Sequence, residues 1–304
     1  MDVALAVDLG GTKVEAALVD AAGAVLDGSR ARAATGPDAD AAALRAAVHE
    51  VVGRAVAATP AGATLRGAGI GSAGPVDVAA GTVSPLNLPR AAGFSLARIV
   101  REALPADELP VRLALDGQCI AIAESRFGAG RGARIMLGMV VSTGIGGGIV
   151  VDGRALPGGT GNAGHIGQIE VAGFTASGGL DATVERVASG PNIVAWARAQ
   201  GWQGDSGEDL AAAAAAGDDL ARAAVRRSAA AVGSALASAS ALLDLDAIVI
   251  GGGFSRVSPD YVDLVREARD AVGAFAFLAR ARIVPAALGD ESPLVGAAAL
   301  VLDA

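Results

Sequence analysis

Residues 3–20 constrain the fold more than any other stretch. Val3, Leu5 and Val7 are strand formers, and the apolar run resumes from Val14 to Val19. Between them stands Asp8-Leu-Gly-Gly-Thr-Lys13. Adjacent glycines (Gly10 and Gly11) let a backbone reverse without a Cβ penalty and bring main-chain N–H groups close to an anion. Strand, tight turn, strand is expected, with the turn as a phosphate nest. Asp8 is an acceptor where a metal ion or its bound water would lie, and Thr12 is a hydroxyl donor. Lys13 is the only lysine in the chain. It is either a point charge beside phosphate or a solvated hairpin residue.

The same design recurs. Residues 135–152 run strand, glycine turn (Ser142-Thr-Gly-Ile-Gly-Gly-Gly148), strand, then an aspartate and a turn. A strand ending at Gly71 also has a late counterpart, Ala247-Ile-Val-Ile-Gly-Gly-Gly253. The chain therefore reads as two similar α/β halves, each running from glycine hairpin through helix to a strand that ends in glycines. That pattern suggests a mononucleotide held in the cleft between the halves. Gly144 to Gly148 is no dinucleotide fingerprint, because strand rather than helix follows it. No GxxxxGK[ST] is present, which excludes the P-loop class.

The 304 residues suffice for two domains with substantial cores. Hydrophobic residues are 52% but aromatics only 3%, so the cores must be aliphatic. A net charge of −8 argues against a nucleic-acid-coating surface. Cys119 is the only cysteine, which excludes an internal disulfide and a cysteine-rich zinc site. No apolar run approaches the roughly 18 residues that span a bilayer. The first residues lack a basic n-region, so no signal peptide is expected and a cytoplasmic location is.

Along the chain, residues 39–58 read as an amphipathic helix with Leu44, Val48 and Val51 on one face. A strand ending in Gly71, a hairpin over 75–83 and an extended Ser84-Pro-Leu-Asn-Leu-Pro89 loop follow. Helices are expected near 96–104 and from Gln118 to Phe127, the second after the strand Val111 to Leu115. Residues 208–243 are Ala-rich and helical, and residues 290–301 form a last helix with Pro293 in its first turn.

These motifs, in this order, resemble the ROK family of sugar kinases over nearly the whole chain. Asp8-Leu-Gly-Gly-Thr-Lys13 looks like its first phosphate motif and Ser142 to Gly148 like its second. Gly71-Ser-Ala-Gly-Pro-Val-Asp77, Asn87-Leu-Pro89, Ile250-Gly-Gly-Gly253, Gly161-Asn-Ala-Gly-His-Ile-Gly-Gln168 and Glu185-Arg-Val-Ala-Ser-Gly190 resemble further family segments. The resemblance implies an α/β, two-lobed actin/hexokinase/Hsp70-like ATPase fold with ribonuclease H-like duplicated domains. It divides the chain into an N-terminal lobe, 1–115, onto which helix 290–304 packs back, and a C-terminal lobe, 116–289, with an insertion at about 157–219. It implies ATP and Mg²⁺ as cofactors, a hexose or hexose derivative as acceptor, and a homodimer.

Residue by residue, Asp116 falls at the family's catalytic aspartate. Asp8, Gly10, Gly11, Thr12, Lys13, Ser142, Thr143, Gly144, Gly251 and Gly252 fall at nucleotide positions, with Asp8 orienting Mg²⁺ through water. Asn87, Asp116, His165, Gln168 and Glu185 fall at sugar positions. The departures are specific. The family's Asn before the aspartate is Leu115, followed here by Gly117 and Gln118. Its signature Glu is His165, and its zinc His is Gln168. The zinc cysteines align near Ala176, Gly178 and Thr183, so no zinc is expected. Packing through Phe174, Leu180 and Val184 is expected to hold the insertion instead.

A carboxylate within reach of a sugar hydroxyl takes its proton, which Asp116 at a strand-to-helix junction could do; otherwise it is a helix N-cap. Phe94 is either a wall for the sugar ring or core packing. Gln168 is either a sugar ligand or a filler. Two functions follow. One is an ATP-dependent kinase of a sugar hydroxyl, closing on its substrate. The other is a non-catalytic sugar or nucleotide sensor with a re-cut pocket; without an N-terminal helix-turn-helix and with an acidic chain, it would bind no DNA.

Overall fold

The apolar opening strand has two unlike faces, and that difference shapes the first half of the fold. The computed structural model describes residues 1–175, 178–272 and 275–302. It divides into two compact units, residues 1–131, 148–163 and 290–304 in one and 132–147 and 164–289 in the other.

In the first unit β1 (Asp2–Leu9) pairs antiparallel with β2 (Lys13–Asp20), which pairs with β3 (Ala31–Ala34). After α1 (Ala41–Ala57), β4 (Thr64–Ser72) runs parallel to β1 on its other side. The short hairpin β5 (Val76–Asp77) and β6 (Thr82–Val83) and helix α2 (Leu96–Glu102) precede β7 (Val111–Leu115), parallel to β4. The sheet order is β3-β2-β1-β4-β7. Helix α3 (Asp116–Arg126) starts directly at the end of β7, two residues earlier than expected.

Val3, Leu5, Val7 and Leu9 face a core shared with Leu44, Val48, Val51 and Val52 of α1. Each such side chain, fully buried, contributes about 1.5–3 kcal/mol. Ala4 and Ala6 face the other way, with Ala17 and Ala114, onto the closing helix Ser292–Leu302. Small residues there admit a close approach. A Cβ at Gly69 would overlap the Ala297 carbonyl, and one at Gly296 the Cys119 carbonyl. Phe94 is part of the first core, 6% exposed. It is packing, not a wall for a sugar.

In the second unit β8 (Ile135–Val141) turns through residues 142–144 into β9 (Ile145–Val151). The chain passes from the second unit to the first within β9, after Gly147. Asp152 (φ 50°) and Gly153 (φ 76°) form a two-residue turn of the type that suits hairpin twist, joining β9 to β10 (Arg154–Ala155). Helices α4 (Val184–Ala188), α5 (Gly190–Ala199), α6 (Gly207–Ala216) and α7 (Asp219–Leu243) precede β11 (Ala247–Gly251), helix α8 (Tyr261–Val272) and β12 (Arg282–Pro285). β8, β11 and β12 are parallel.

The Ala-rich run expected as helix over 208–243 is two helices. Gly217 takes φ 98° and closes α6. The Asp218 carboxylate then accepts from Ala221 N and caps α7. The expected packing of the insertion through Leu180 fails, since Leu180 is 76% exposed. Val184 is fully buried and Phe174 half-buried. Ala176 lies outside the described residues.

Candidate functional site

Three strand ends of the first unit build an acidic corner. Asp8 on β1 stands in register with Gly71 on β4, and Gly71 with Ala114 on β7. Two residues on, Asp116 opens α3. Gly71 matters because it has no side chain. A Cβ there would stand 3.2 Å from Cys119 Sγ and 3.6 Å from Asp8 Oδ1. A methyl group there would be tight against Cys119 and in ordinary contact with Asp8, so a side chain larger than alanine's would contest the room of the Asp8 carboxyl.

Asp8 keeps a little accessible surface but is crowded by protein atoms. Burial first, then the charges of Asp116 and Glu15, push its carboxyl up to about 7, while Lys13 and Arg30 pull the other way. Burial, Asp8 and Asp116 likewise push the Cys119 thiol well above its usual range, so Cys119 is an inert packing group. Asp116 is half-buried, and its Oδ1 accepts from Gly117 N at 2.6 Å. It is not the N-cap; Leu115 holds that place. A carboxylate in the first turn is favoured by the helix dipole.

The first glycine turn closes through Gly10 N donating to Lys13 O at 2.9 Å. Neither Gly10 nor Gly11 has positive φ, so backbone reversal is not the reason for two glycines. Gly11 is needed because Asn87 lies on it: a Cβ would come 2.5 Å from Asn87 Nδ2. Asn87 and Thr12 are exposed. Lys13 Nζ donates to Glu15 Oε2 at 2.7 Å, and Arg30 and Arg32 pair with the same carboxylate. Burial alone would raise the Glu15 carboxyl, but hydrogen bonds from Lys13, Arg32 and Arg30 hold it below the usual range. Glu15 was not singled out from sequence. Its position in a strand otherwise filled with apolar residues was the available signal.

Gln118 is buried and structural. Its Nε2 donates to the carbonyls of Ala163 at 2.9 Å and Gly161 at 3.2 Å. Leu115 is buried in the core of the first unit and presents no polar atom.

In the second unit Glu185, on α4, reaches the second glycine turn. Its Oε2 accepts from Ile145 N at 2.8 Å, and a Cβ at Gly144 would stand 2.8 Å from it. His165 and Gln168 bracket a 3₁₀ turn, both exposed. Gly252 (φ 95°) lies on the end of β8, so close that a Cβ would overlap Val141 O. That packing brings Gly253 beside Ser142. Both line a cavity of about 750 Å³ with Thr143, the start of α5 (Gly190, Pro191), Val194, Phe254 and the start of α6 (Ser206, Gly207). Gly144, Gly251 and Gly252 support the turns around this cavity without lining it. Val194, Phe254, Arg198, Glu208 and Arg256 were not foreseen as lining residues; they are scattered over 63 residues of sequence and carry no motif.

Among the described residues no helix is long and apolar enough to cross a membrane, and no three His, Cys, Asp or Glu side chains gather to hold a metal ion. Mg²⁺ needs fewer protein donors, because it keeps waters and shares phosphate oxygens. The crowded Asp8 carboxyl fits a cation for that reason.

A model of the ROK family matches residues 4–304. The chain is 35% identical over 263 residues to an N-acetylmannosamine kinase of Yersinia pseudotuberculosis, covering 83% of each. It is 38% identical over 219 residues to the bifunctional enzyme NanE/NanK of Brucella suis, which takes in 72% of this chain and 39% of that protein. The chain thus spans about two-fifths of that relative's length. A ROK hexokinase from Thermus thermophilus superposes with a TM-score of 0.83 at 32% identity, covering 97% of this chain and 96% of that one. A ROK family glucokinase from Streptomyces griseus, solved with glucose and AMPPNP, does so at 0.80 and 30%, covering 99% and 100%.

Proposed function

The chain belongs to the ROK family and has the actin/hexokinase-like ATPase fold, and from that premise we propose that it is an ATP-dependent kinase of a hexose or hexose derivative. The acceptors named for its relatives, N-acetylmannosamine and glucose, are the first to try. The observation that carries the reading is the Asp8–Asp116 corner: two carboxylates at the ends of β1 and β7, facing each other across the bare Gly71 of β4, close enough that the charge of Asp116 raises the proton affinity of Asp8.

In this reading Asp116 accepts the proton of the sugar hydroxyl as its oxygen attacks the terminal phosphorus of ATP, whose bond to the bridging oxygen breaks and releases ADP. Its place in the first turn of α3 sets it where the helix dipole favours negative charge. Asp8 would hold Mg²⁺, which supplies charge neutralisation at the phosphates when bound. Gly10 N closes the turn on Lys13 O, leaving Gly11 and Thr12 to present main-chain and hydroxyl donors, and Lys13 stays paired with Glu15 until phosphate competes for it. The 750 Å³ cavity takes the nucleoside, with Val194 and Phe254 as apolar walls and Ser142 and Thr143 at its phosphate end. His165, Gln168, Asn87 and Glu185 read the acceptor. Glu185 has a second task, because its bond to Ile145 N ties acceptor reading to the second phosphate turn.

We also propose a zinc-free, homodimeric, cytoplasmic enzyme. The only thiol, Cys119, is buried behind Asp8 and Asp116 in the first unit, and the described positions Gly178 and Thr183 offer none. The test of function is ADP release with Mg²⁺·ATP across a panel of hexoses, hexosamines and their N-acetyl derivatives. Turnover of at least one acceptor is expected. Silence across the panel, with ATP bound, would favour the sensor.

A further inference from the structure

The segment from Ile169 to Thr183 lies between the two groups of acceptor-reading residues in the second unit, with His165 and Gln168 before it and Glu185 just after. Its ends are tied by Val171 N to Ala182 O and Val184 N to Ile169 O, both 2.9 Å. Gly173 and Gly179 adopt positive φ, and Leu180 faces solvent. One side chain from elsewhere reaches in. Arg227 on α7 sets its guanidinium 5.5 Å from the Phe174 ring and 5.1 Å from the Trp196 ring of α5. Its Nη2 donates to Phe174 O at 2.7 Å, while its Nε is buried with no hydrogen-bond partner. The guanidinium is thus held chiefly by two aromatic faces and one carbonyl. The next residue, Ser228, donates to Ala188 O at 2.8 Å, the last residue of the helix that carries Glu185. Consecutive residues of α7 therefore grip this segment and the helix that follows it.

We propose that Arg227 is a positioning residue for the sugar acceptor, a cation held against Phe174 and Trp196 that fixes the chain after Gln168 at Phe174, while the next residue, Ser228, holds the helix of Glu185. This rests on the reading that His165, Gln168 and Glu185 contact the acceptor. Arg227 touches no reacting atom; it acts by limiting where those side chains stand. α5 also lines the nucleoside cavity, but through Gly190, Pro191, Val194, Ala195 and Arg198 rather than Trp196. Loss of the clamp should therefore be felt on the acceptor side and hardly at all by ATP.

The test uses the full chain, with N-acetylmannosamine and glucose as acceptors. Arg227→Met is expected to raise the acceptor KM about tenfold, with the ATP KM within about twofold of wild type. Arg227→Lys, which keeps a cation over the rings, should recover most of the loss. Amides of residues 169–175 and 178–184 should exchange faster in Arg227→Met, with those of β1 and β2 unchanged. Phe174→Leu, a change in a half-buried loop residue, should move the acceptor KM the same way if Arg227→Met fails to fold. Equal rises in both KM values, or faster exchange with an unchanged acceptor KM, would reduce Arg227 to a packing residue and overturn the proposal. Glu185→Gln separates the two layers. If it raises the acceptor KM and the Arg227 variants do not, the clamp alone is wrong. If it leaves the acceptor KM unchanged, the acceptor reading is wrong and the clamp proposal goes with it.

Discussion

Asp8→Asn is expected to stabilise the protein in the absence of nucleotide while abolishing its chemistry. The Asp8 carboxyl rises from 3.8 to about 7 on folding. At about 1.36 kcal/mol per unit, that shift corresponds to about 4 kcal/mol. The residual surface of Asp8 lets water soften the penalty, so about 2 kcal/mol is the working figure. The sign follows from proton counting. Below about pH 4 both states hold the proton and nothing is lost. Between about 4 and 7 the folded state keeps a proton that the unfolded chain has released, so stability falls as pH rises. Above 7 the folded protein carries the full cost of a crowded carboxylate, and an amide carries none. Urea unfolding at pH 5 and pH 8.5, without nucleotide or Mg²⁺, reads this directly. The variant should be more stable by about 2 kcal/mol at pH 8.5, and the gain should shrink at pH 5. A variant no more stable than wild type at pH 8.5 would refute the claim that Asp8 is held in an unfavourable charged state awaiting a cation.

The same titration predicts that the KM for Mg²⁺·ATP falls as pH rises from 6 to 8.5, because Asp8 must be ionised to hold the metal; a pH-independent KM would contradict it. Val194→Trp should fill the nucleoside cavity and raise the ATP KM at least about tenfold while sparing the acceptor KM, measured by initial rates. Gly69→Ala sets a methyl on the Ala297 carbonyl and should cost about 1–3 kcal/mol by forcing the closing helix off the sheet, seen as a lower denaturation midpoint. Gly11→Ala sets a methyl 2.8 Å from Asn87 Cβ, which side-chain rotation cannot relieve, so the loop that carries Asn87 must shift and the acceptor KM should rise if Asn87 reads the sugar.

How far the sequence carried these conclusions depends on whether the deciding contacts were local. The two glycine hairpins were legible, because strand propensity and turn residues lie side by side in the chain. Asp116 was legible as a strand-to-helix residue, although its place within the first turn, one past the cap, needed coordinates. The Gly10-Gly11 pair was read correctly as a turn but for the wrong reason: Gly11 answers to Asn87, 76 residues away in sequence. Phe94 could not be assigned from a single aromatic in a loop, since only the packing of α2 and β6 decides its side. Periodicity could not locate the break at Gly217 within a run of alanines that suits a helix on every face. The 750 Å³ cavity, proposed to take the nucleoside, was invisible for a related reason. Its walls come from α5, α6 and the turn after β11, where Val, Ala and Phe carry no signature until folding sets them together.

The central claim is that Asp116 deprotonates the acceptor in an otherwise intact ATP site. Asp116→Asn tests it most directly, by single-turnover phosphoryl transfer beside a titration of ATP binding. The rate should fall by about 10²–10⁴-fold while the Kd for ATP stays within about twofold. A variant that transfers phosphate at the wild-type rate, or one that loses ATP binding along with turnover, would contradict it.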